Sequence, residues 1–592
     1  MRLKRLAVTV GIVCTAVLCL SVSSSTQQVR GTITGTVTVD QGKVIGFRVS
    51  AHNMDRRLWY TVFTSNGRYT VPQALPGKYE IVVNEPAYAS PTVPLQLGAG
   101  ESKTADIPLK YQGVEAWQKT NGDGNLDHMR RARPPAPKRP GETVVVVNSL
   151  EEVFPEGPAL GLLKDNCTGC HGGGWGALHY NKEQFMHAIE HETETGHNLN
   201  RTPFTRSQKE MLADYLVKNF GPGVPERQLR VDPLVPDESV VSKQIYVSYD
   251  IPLDLAFAPG TITSRAGNMI DGAPPDPGAP YNVHHLQAAF MSPVDGDVWV
   301  TSGSSNSLLR LSPKIADPIK RWRNYPIKGP NPHVQPSGIT IGSDGHVWWS
   351  EDLMGGLIGE LDPVTGRQVR YRLPDEGGAI HEVITDKDGN VGFGLIQGAK
   401  FGWVDAKTHE VHMYPTPTPD NGIYGLSFDQ HGNMWGCGWE KGFINKWDKA
   451  TESVKEYKVP SAWGAIRRCT VDSKGIIWAG GYNSGILTRF DPITEKITNE
   501  YKVPLSAANL YDTWADKADN IWMTDMLHGA LIKFDPRTEK FAFYPMVQPH
   551  QSVPKLFVAD DNTLWHATRG KSIAVVVHFY PEGYTATAKA LP

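Results

Sequence analysis

The chain has 592 residues, with 59 basic against 62 acidic side chains. That length exceeds what one hydrophobic core supports and predicts three or four domains. The balanced charge, without a long basic run, argues against nucleic acid as a partner, and 58 Gly, 44 Pro and 16 Trp suit a turn-rich β protein better than a helical one.

Residues 1–25 read as a secretory signal. Arg2, Lys4 and Arg5 are basic, Leu6 to Leu20 is an apolar run, and Ser21 to Ser25 is small and polar. The expectation is an exported bacterial protein, periplasmic or otherwise outside the cytoplasm, with no membrane span after signal removal. Retained as an anchor, the same run would hold the same domains on the same side. Lipidation at Cys19, which follows Leu18, is the weaker alternative.

Residues 29–110 predict a small β-sandwich. Alternating runs such as Gly31 to Val39 and Lys78 to Val83 are separated by turns rich in Gly, Asn and Pro. Gly35-Thr36-Val37, Gly67-Arg68-Tyr69-Thr70-Val71 and Leu75-Pro76-Gly77-Lys78-Tyr79 together resemble the carboxypeptidase regulatory-like family. The resemblance implies a non-catalytic module for folding or contact. Residues 111–145 form a basic, Pro-rich linker that is stiff and extended. Within it, Asn121 to Asp127 has the look of a calcium loop. It lacks the Gly and Glu such a loop needs at its sixth and twelfth positions, so it reads as a turn.

Residues 146–222 predict a small helical domain. Its centre is Cys167-Thr168-Gly169-Cys170-His171, a C-x-x-C-H run. Two thiols at that spacing can add to both vinyl groups of one haem, and the His that follows can take the iron as proximal ligand. A zinc site would need two further ligands at matching spacing, and the chain has no second C-x-x-C. Haem c is therefore the expected cofactor, and export is the compartment in which it is attached. A helix follows an Asn181-x-x-Gln184 cap, and a last one starts at Thr205-x-x-Gln208 and stops at Gly221-Pro222. With the closing Tyr215 to Gly221 segment, the region resembles a short class I cytochrome c. Relatives of that kind place a Met sixth ligand ahead of the last helix. Here His197 stands at the matching position, and Met186 is the alternative. His187 and His191 lie on a polar helix face and read as solvated. A Met ligand would raise the potential and a second His would lower it.

Residues 223–242 read as a linker, and 243–592 repeat. An apolar-Trp pair after a turn recurs at Trp299, Trp348, Trp435, Trp478, Trp522 and Trp565, with Gly392-Phe393 standing in once. The spacings are 49, 44, 43, 43, 44 and 43 residues. Asp-Pro or Asp-Lys landmarks follow (Leu361-Asp362-Pro363, Trp447-Asp448-Lys449, Phe490-Asp491-Pro492, Phe534-Asp535-Pro536). A period in the low forties with several short strands predicts a seven-bladed β-propeller. Tyr249-Asp250-Ile251-Pro252 could supply the outer strand that closes the ring. The fold class is thus multidomain and mainly β, with an N-terminal sandwich, a small helical cytochrome c domain and a C-terminal propeller.

The wording of Ser337 to Pro363 resembles the streptogramin B (virginiamycin B) lyase family of seven-bladed propellers. That resemblance implies a metal held by acidic residues, with Mg as the candidate, and a His base. The set is scattered here. Glu351 fits the acidic end of a second strand, but Ser337 stands where its His should be. His381 fits a His position, but Ala379 stands where its Glu should be. The same place in later blades holds Tyr424, Arg467 and Tyr511, and Asp525 takes an acidic position. Ser337, Glu351, His381, Tyr424, Arg467, Tyr511 and Asp525 are therefore the candidate lining of one channel mouth.

Two functions follow. In the first the protein is an exported multidomain cytochrome, its haem passing one electron and its propeller binding a substrate or a periplasmic redox partner. In the second it is a metal-dependent lyase of the C–O bond with an accessory haem domain. If enzymatic it is accordingly a haem-linked oxidoreductase or a lyase. Cys437 and Cys469 remain after the signal and haem cysteines are counted, either as a disulfide or as two buried thiols.

Overall fold

The computed structural model describes residues 29–114, 116–117, 143–168, 179–194, 203–252, 284–303, 305–328, 336–351, 356–374, 378–549, 551, 553–570 and 574–591. The secretory signal, the Asn121 to Asp127 turn and most of the basic linker lie outside them.

The N-terminal strands alternate buried and open positions along Gly31–Val39 and Gly77–Val83, as a sheet with one face on a core requires. They form two sheets. One runs through Gly31–Val39, Arg68–Ala74 and Ile107–Tyr111. The other runs through Leu58–Phe63, Arg48–Asn53, Gly77–Val83 and Val93–Leu97.

The repeat region folds as seven antiparallel sheets in a propeller-like ring, the first of five strands, the next five of four strands each, and the last part of a larger sheet. The inner strands begin at His284, Pro336, Ile380, Ile423, Ile466, Leu510 and Leu556. Each packs beside the next, and the first packs against the last to close the circle. Every Trp landmark, and Gly392-Phe393 with them, falls on the second strand of its blade.

The repeat has a physical lock in blades 4 to 6. The indole Nε1 of Trp435, Trp478 and Trp522 donates to the turn carboxylates of Asp429, Asp472 and Asp516, at 2.9, 2.9 and 3.0 Å. The same carboxylates accept turn amides two and four residues on. Each ring then packs on an aromatic of the following blade: Trp435 on Phe490, Trp478 on Phe534, Trp522 on Phe579. The Phe-Asp landmark thus serves the blade before it.

Blade 7 is completed by Ile245–Asp250, which pairs antiparallel with Val575–Tyr580. The ring is therefore closed by a strand from its N-terminal side, one that includes the predicted Tyr249-Asp250. That strand is not an edge. Its other side pairs with Leu58–Phe63, so blade 7 and one sandwich sheet form a single eight-stranded sheet. A shared core of Val49, Tyr60, Ile81, Val247, Leu286 and Trp565 fills the junction.

The helical unit has α1 (Leu150–Val153), α2 (Leu160–Asn166), α3 (Lys182–Glu194) and α4 (Arg206–Phe220). A short α5 (Glu238–Val241) follows. Both predicted caps form: Gln184 with Asn181, and Gln208 with Thr205 in a reciprocal box. Phe154, Leu163, Phe185, Ile189, Leu212, Leu216 and Phe220 make one core. The unit extends beyond the predicted limits of 146 and 222, because Val144–Val147 pairs in parallel with Glu226–Leu229 and brackets the helices. Residues 223–242 likewise carry structure: Glu238 on α5 accepts from the Gly46 and Asn66 amides of the sandwich.

Candidate functional site

One end of the channel is built by a backbone irregularity repeated around the ring. Blades 2 to 6 each break register at the top of the inner strand, between Pro336 and Ile339, Ile380 and Glu382, Ile423 and Leu426, Ile466 and Cys469, and Leu510 and Thr513. A bulge of this kind bends the strand and re-aims its side chains. Ser337, His381, Tyr424, Arg467 and Tyr511 sit in these five breaks.

The five form one buried network. Ser337 Oγ lies 2.5 Å from His381 Nδ1, and His381 Nε2 lies 3.2 Å from the Tyr511 hydroxyl. The Tyr511 and Tyr424 hydroxyls share a hydrogen bond, and Arg467 Nη1 donates to Tyr424 at 2.9 Å. The Arg467 guanidinium lies over the Tyr482 ring, 3.8 Å from its centroid, and is flanked by Tyr424 and Tyr511. Those faces are electron-rich and stabilise a cation held out of water.

A second tier lies directly below: Glu382, Arg468, Asp512 and Lys555, all buried. Arg468 pairs with Glu382 and approaches Asp512 at 3.6 Å. Lys555 Nζ donates to the His381 carbonyl at 2.9 Å and to Ser337 Oγ at 3.3 Å, tying the tiers together. Burial pushes the Asp512 carboxyl up, and Arg468 opposes it. Sequence reasoning missed this tier. Its signal was a charged residue immediately after three of the mouth positions.

Glu351 and Asp525 do not join the network, although both were expected to line the mouth. Each ends a second strand, where the side chain turns to its own blade. Glu351 accepts from Arg370 Nε at 2.7 Å; burial raises its carboxyl above the usual range and Arg370 opposes that. Asp525 accepts the Leu527 and His528 amides and lies 2.9 Å from His528 Nδ1. For His528, burial works to lower the pKa and the Asp525 charge overrides it, leaving it raised. No group of three or more metal-ligating side chains occurs among the described residues.

The helical unit stands on this mouth. Trp463, in the loop before the blade 5 inner strand, belongs to the helical core and packs 5.7 Å from Phe154. Lys164 of α2 lies over its indole at 4.6 Å. Gly464 has a left-handed φ of 84°, and a Cβ there would run into the Lys164 carbonyl. Glycine is thus required twice, for conformation and for close approach. Asn483 Nδ2 donates to the Thr168 carbonyl at 3.2 Å, and Lys441 Nζ to Asn166 at 2.9 Å. Asn483 follows Tyr482, whose ring carries Arg467. A continuous path of contacts therefore runs from Thr168 through Asn483, Tyr482 and Arg467 to Tyr424, Tyr511 and His381.

Cys167 is half-buried at the C-terminal cap of α2, its amide donating to the Leu163 carbonyl. It packs with Met186 against the apolar helical core. His187 and His191 are exposed on α3. Cys170, His171 and His197 lie outside the described residues. Cys437 and Cys469 are buried thiols in one cluster between blades 4 and 5. Burial pushes the Cys437 thiol well up, and its contact with Cys469 adds to that.

Residues 282–533 match the virginiamycin B lyase family. Residues 32–110 match the carboxypeptidase regulatory-like domain. A virginiamycin B lyase from Nocardia farcinica is 28% identical over 126 residues, 21% of this chain. The chain spans 42% of that relative's length. Among solved structures, a virginiamycin B lyase from Staphylococcus aureus is similar at 17% identity and a TM-score of 0.44. It aligns over 50% of this chain and 99% of its own. A streptogramin B lyase aligns at 18% identity and a TM-score of 0.44, over 50% of this chain and 98% of its own. The chain thus carries a carboxypeptidase regulatory-like sandwich and a virginiamycin B lyase-like propeller-type ring.

Proposed function

We propose that this protein is an exported c-type cytochrome whose helical unit serves a binding site at the mouth of its propeller-like ring. The observation that carries the reading is the seating of the Cys167-Thr168 stem on the mouth loops, through Trp463, Gly464 and Asn483. A motif for covalent haem is thereby joined to a buried polar network by direct contacts. The apolar core against which Cys167 and Met186 pack suits a porphyrin. Cys167 and Cys170 would hold the haem, His171 its iron, and His197 or Met186 the sixth position. Haem supplies reversible one-electron transfer when bound.

The ring's own residues bind and hold protons. Arg467, presented by three aromatic faces, can orient an anionic or carbonyl group entering the mouth. His381 stands between two hydroxyls, so one ring nitrogen can donate while the other accepts. Lys555 holds the Ser337 hydroxyl and the His381 carbonyl in place from below. The occupant is a small molecule or a group on a periplasmic redox partner.

The test is a reduced-minus-oxidised visible spectrum of protein exported by a haem-attaching host, with an alkaline pyridine assay. A reversible c-type spectrum, lost in Cys170→Ser, is expected. Absence of covalent haem, with Cys167 and Cys170 oxidised to a disulfide, would sink the reading.

One observation favours a second reading, lyase activity with Mg: the family match spans most of the ring. Against it, Glu351 is engaged by Arg370, and His381 by Ser337 and Tyr511. Mg-dependent opening of a streptogramin lactone, lost in His381→Ala and retained in Cys170→Ser, would establish it instead.

A further inference from the structure

Away from the mouth, a cleft of about 410 Å³ opens where the eight-stranded sheet passes from the sandwich to blade 7. Its floor is one face of three neighbouring strands. Ser50 stands opposite Thr61, and Ser248 stands opposite Trp59, so alternation places these four on the same side. Asn84, Gln112 and Gln548, half-buried or exposed, line its open part.

Three properties narrow what the cleft can take. First, no lining side chain carries a formal charge, so nothing compensates the desolvation of an ionic ligand. Second, the floor is a row of hydroxyls. Ser50 and Thr61 bond each other at 3.0 Å, but Ser248 Oγ, in a residue 2% exposed, has no hydrogen-bond partner among the described residues. An apolar ligand would leave that hydroxyl unsatisfied, at a cost of about 1–3 kcal/mol. Third, Trp59 is only half-buried. His52 stacks on one face at 3.9 Å and Asp250 accepts its Nε1 at 2.7 Å, which fixes the indole in orientation. A rigid indole beside hydroxyls and amides matches a molecule with C–H faces and many neutral hydroxyls.

We propose that this cleft binds a neutral saccharide, distinct from whatever the mouth receives. The sugar ring stacks on Trp59, a hydroxyl reaches Ser248, and the amides bond its outer hydroxyls.

The experiment is calorimetric titration of the full chain with maltotriose, cellotriose and tri-N-acetylchitotriose, and with an acidic galacturonate trisaccharide as control. Saturable binding of a neutral trisaccharide, and not of the acidic one, is expected. Ser248→Ala should weaken it about tenfold, and Ser248→Leu, which fills the floor, should abolish it. Should Ser248→Leu fail to fold, Gln548→Leu at the opening supplies the blocking variant. The proposal is overturned if no neutral trisaccharide binds, if the acidic one binds equally well, or if binding survives Ser248→Ala and the blocking variant unchanged.

Discussion

Blades 4 to 6 and blade 7 bear a Trp at the same place and use it differently. In blades 4 to 6 the indole is bonded to its own turn carboxylate, so each blade is locked by residues within it. In blade 7 Trp565 stacks on His578 at 3.9 Å and on Tyr249 at 6.0 Å, and its Nε1 has no partner among the described residues. Blade 7 has instead a strand from the other end of the ring and a sheet that continues into the sandwich. Blades 4 to 6 thus carry a hydrogen-bonded lock of their own, whereas the closing blade takes its specificity from long-range pairing.

The largest expected effect tests that pairing. Val247 stands opposite Tyr60 on one side and His578 on the other. Val247→Pro removes a central ladder donor and should cost more than about 3 kcal/mol. Denaturant unfolding should show ring and sandwich losing stability together; loss in one alone would break the view that they share a sheet. Next, Trp463→Ala removes a buried aromatic common to the ring and the helical core and should cost about 3–5 kcal/mol. Limited proteolysis should release the helical unit while the ring persists. A smaller effect separates the two Trp uses. Trp478→Phe leaves Asp472 Oδ2 without its indole donor and should cost about 1–3 kcal/mol, and Trp565→Phe distinctly less, by thermal unfolding. Equal losses would erase the distinction.

The smallest effect is a pH slope. His528 has a raised pKa in the fold, so the folded state binds its proton more tightly than the unfolded chain. Its contribution is complete below the unfolded value of about 6.5 and fades as pH rises through the raised one. Melting temperature should decline over that window, and His528→Gln should flatten the decline. The slope bears on docking too, because Asp232, which leaves the helical unit, also raises His528 and is anchored to the ring at Ser506.

The ring was legible because its landmarks recur and each marks the same strand. The five mouth positions were legible for the same reason, since they share one offset from the landmarks. Glu382, Arg468 and Asp512 were not. Strict alternation turns them away from the channel when their neighbours face it, and the bulges at these positions set one tier directly beneath the other. Glu351 and Asp525 were misplaced because a residue ending a strand points where the following loop and the nearest opposite charge direct it. The continuous sheet was invisible because neither Leu58–Phe63 nor Ile245–Asp250 advertises its partner in local pattern. For Cys170, His171 and His197, the haem reading rests on the motif's chemistry and on where its first half is seated.

The double-sided strand also bears on the order in which the molecule is made. Leu58–Phe63 leaves the ribosome early and Ile245–Asp250 follows, so the two can pair before any blade exists. The last blade's third strand then arrives at a template already in place rather than searching for the first part of the ring. Synthesis runs from the N-terminus, and the sandwich becomes the jig on which the circle is finally closed.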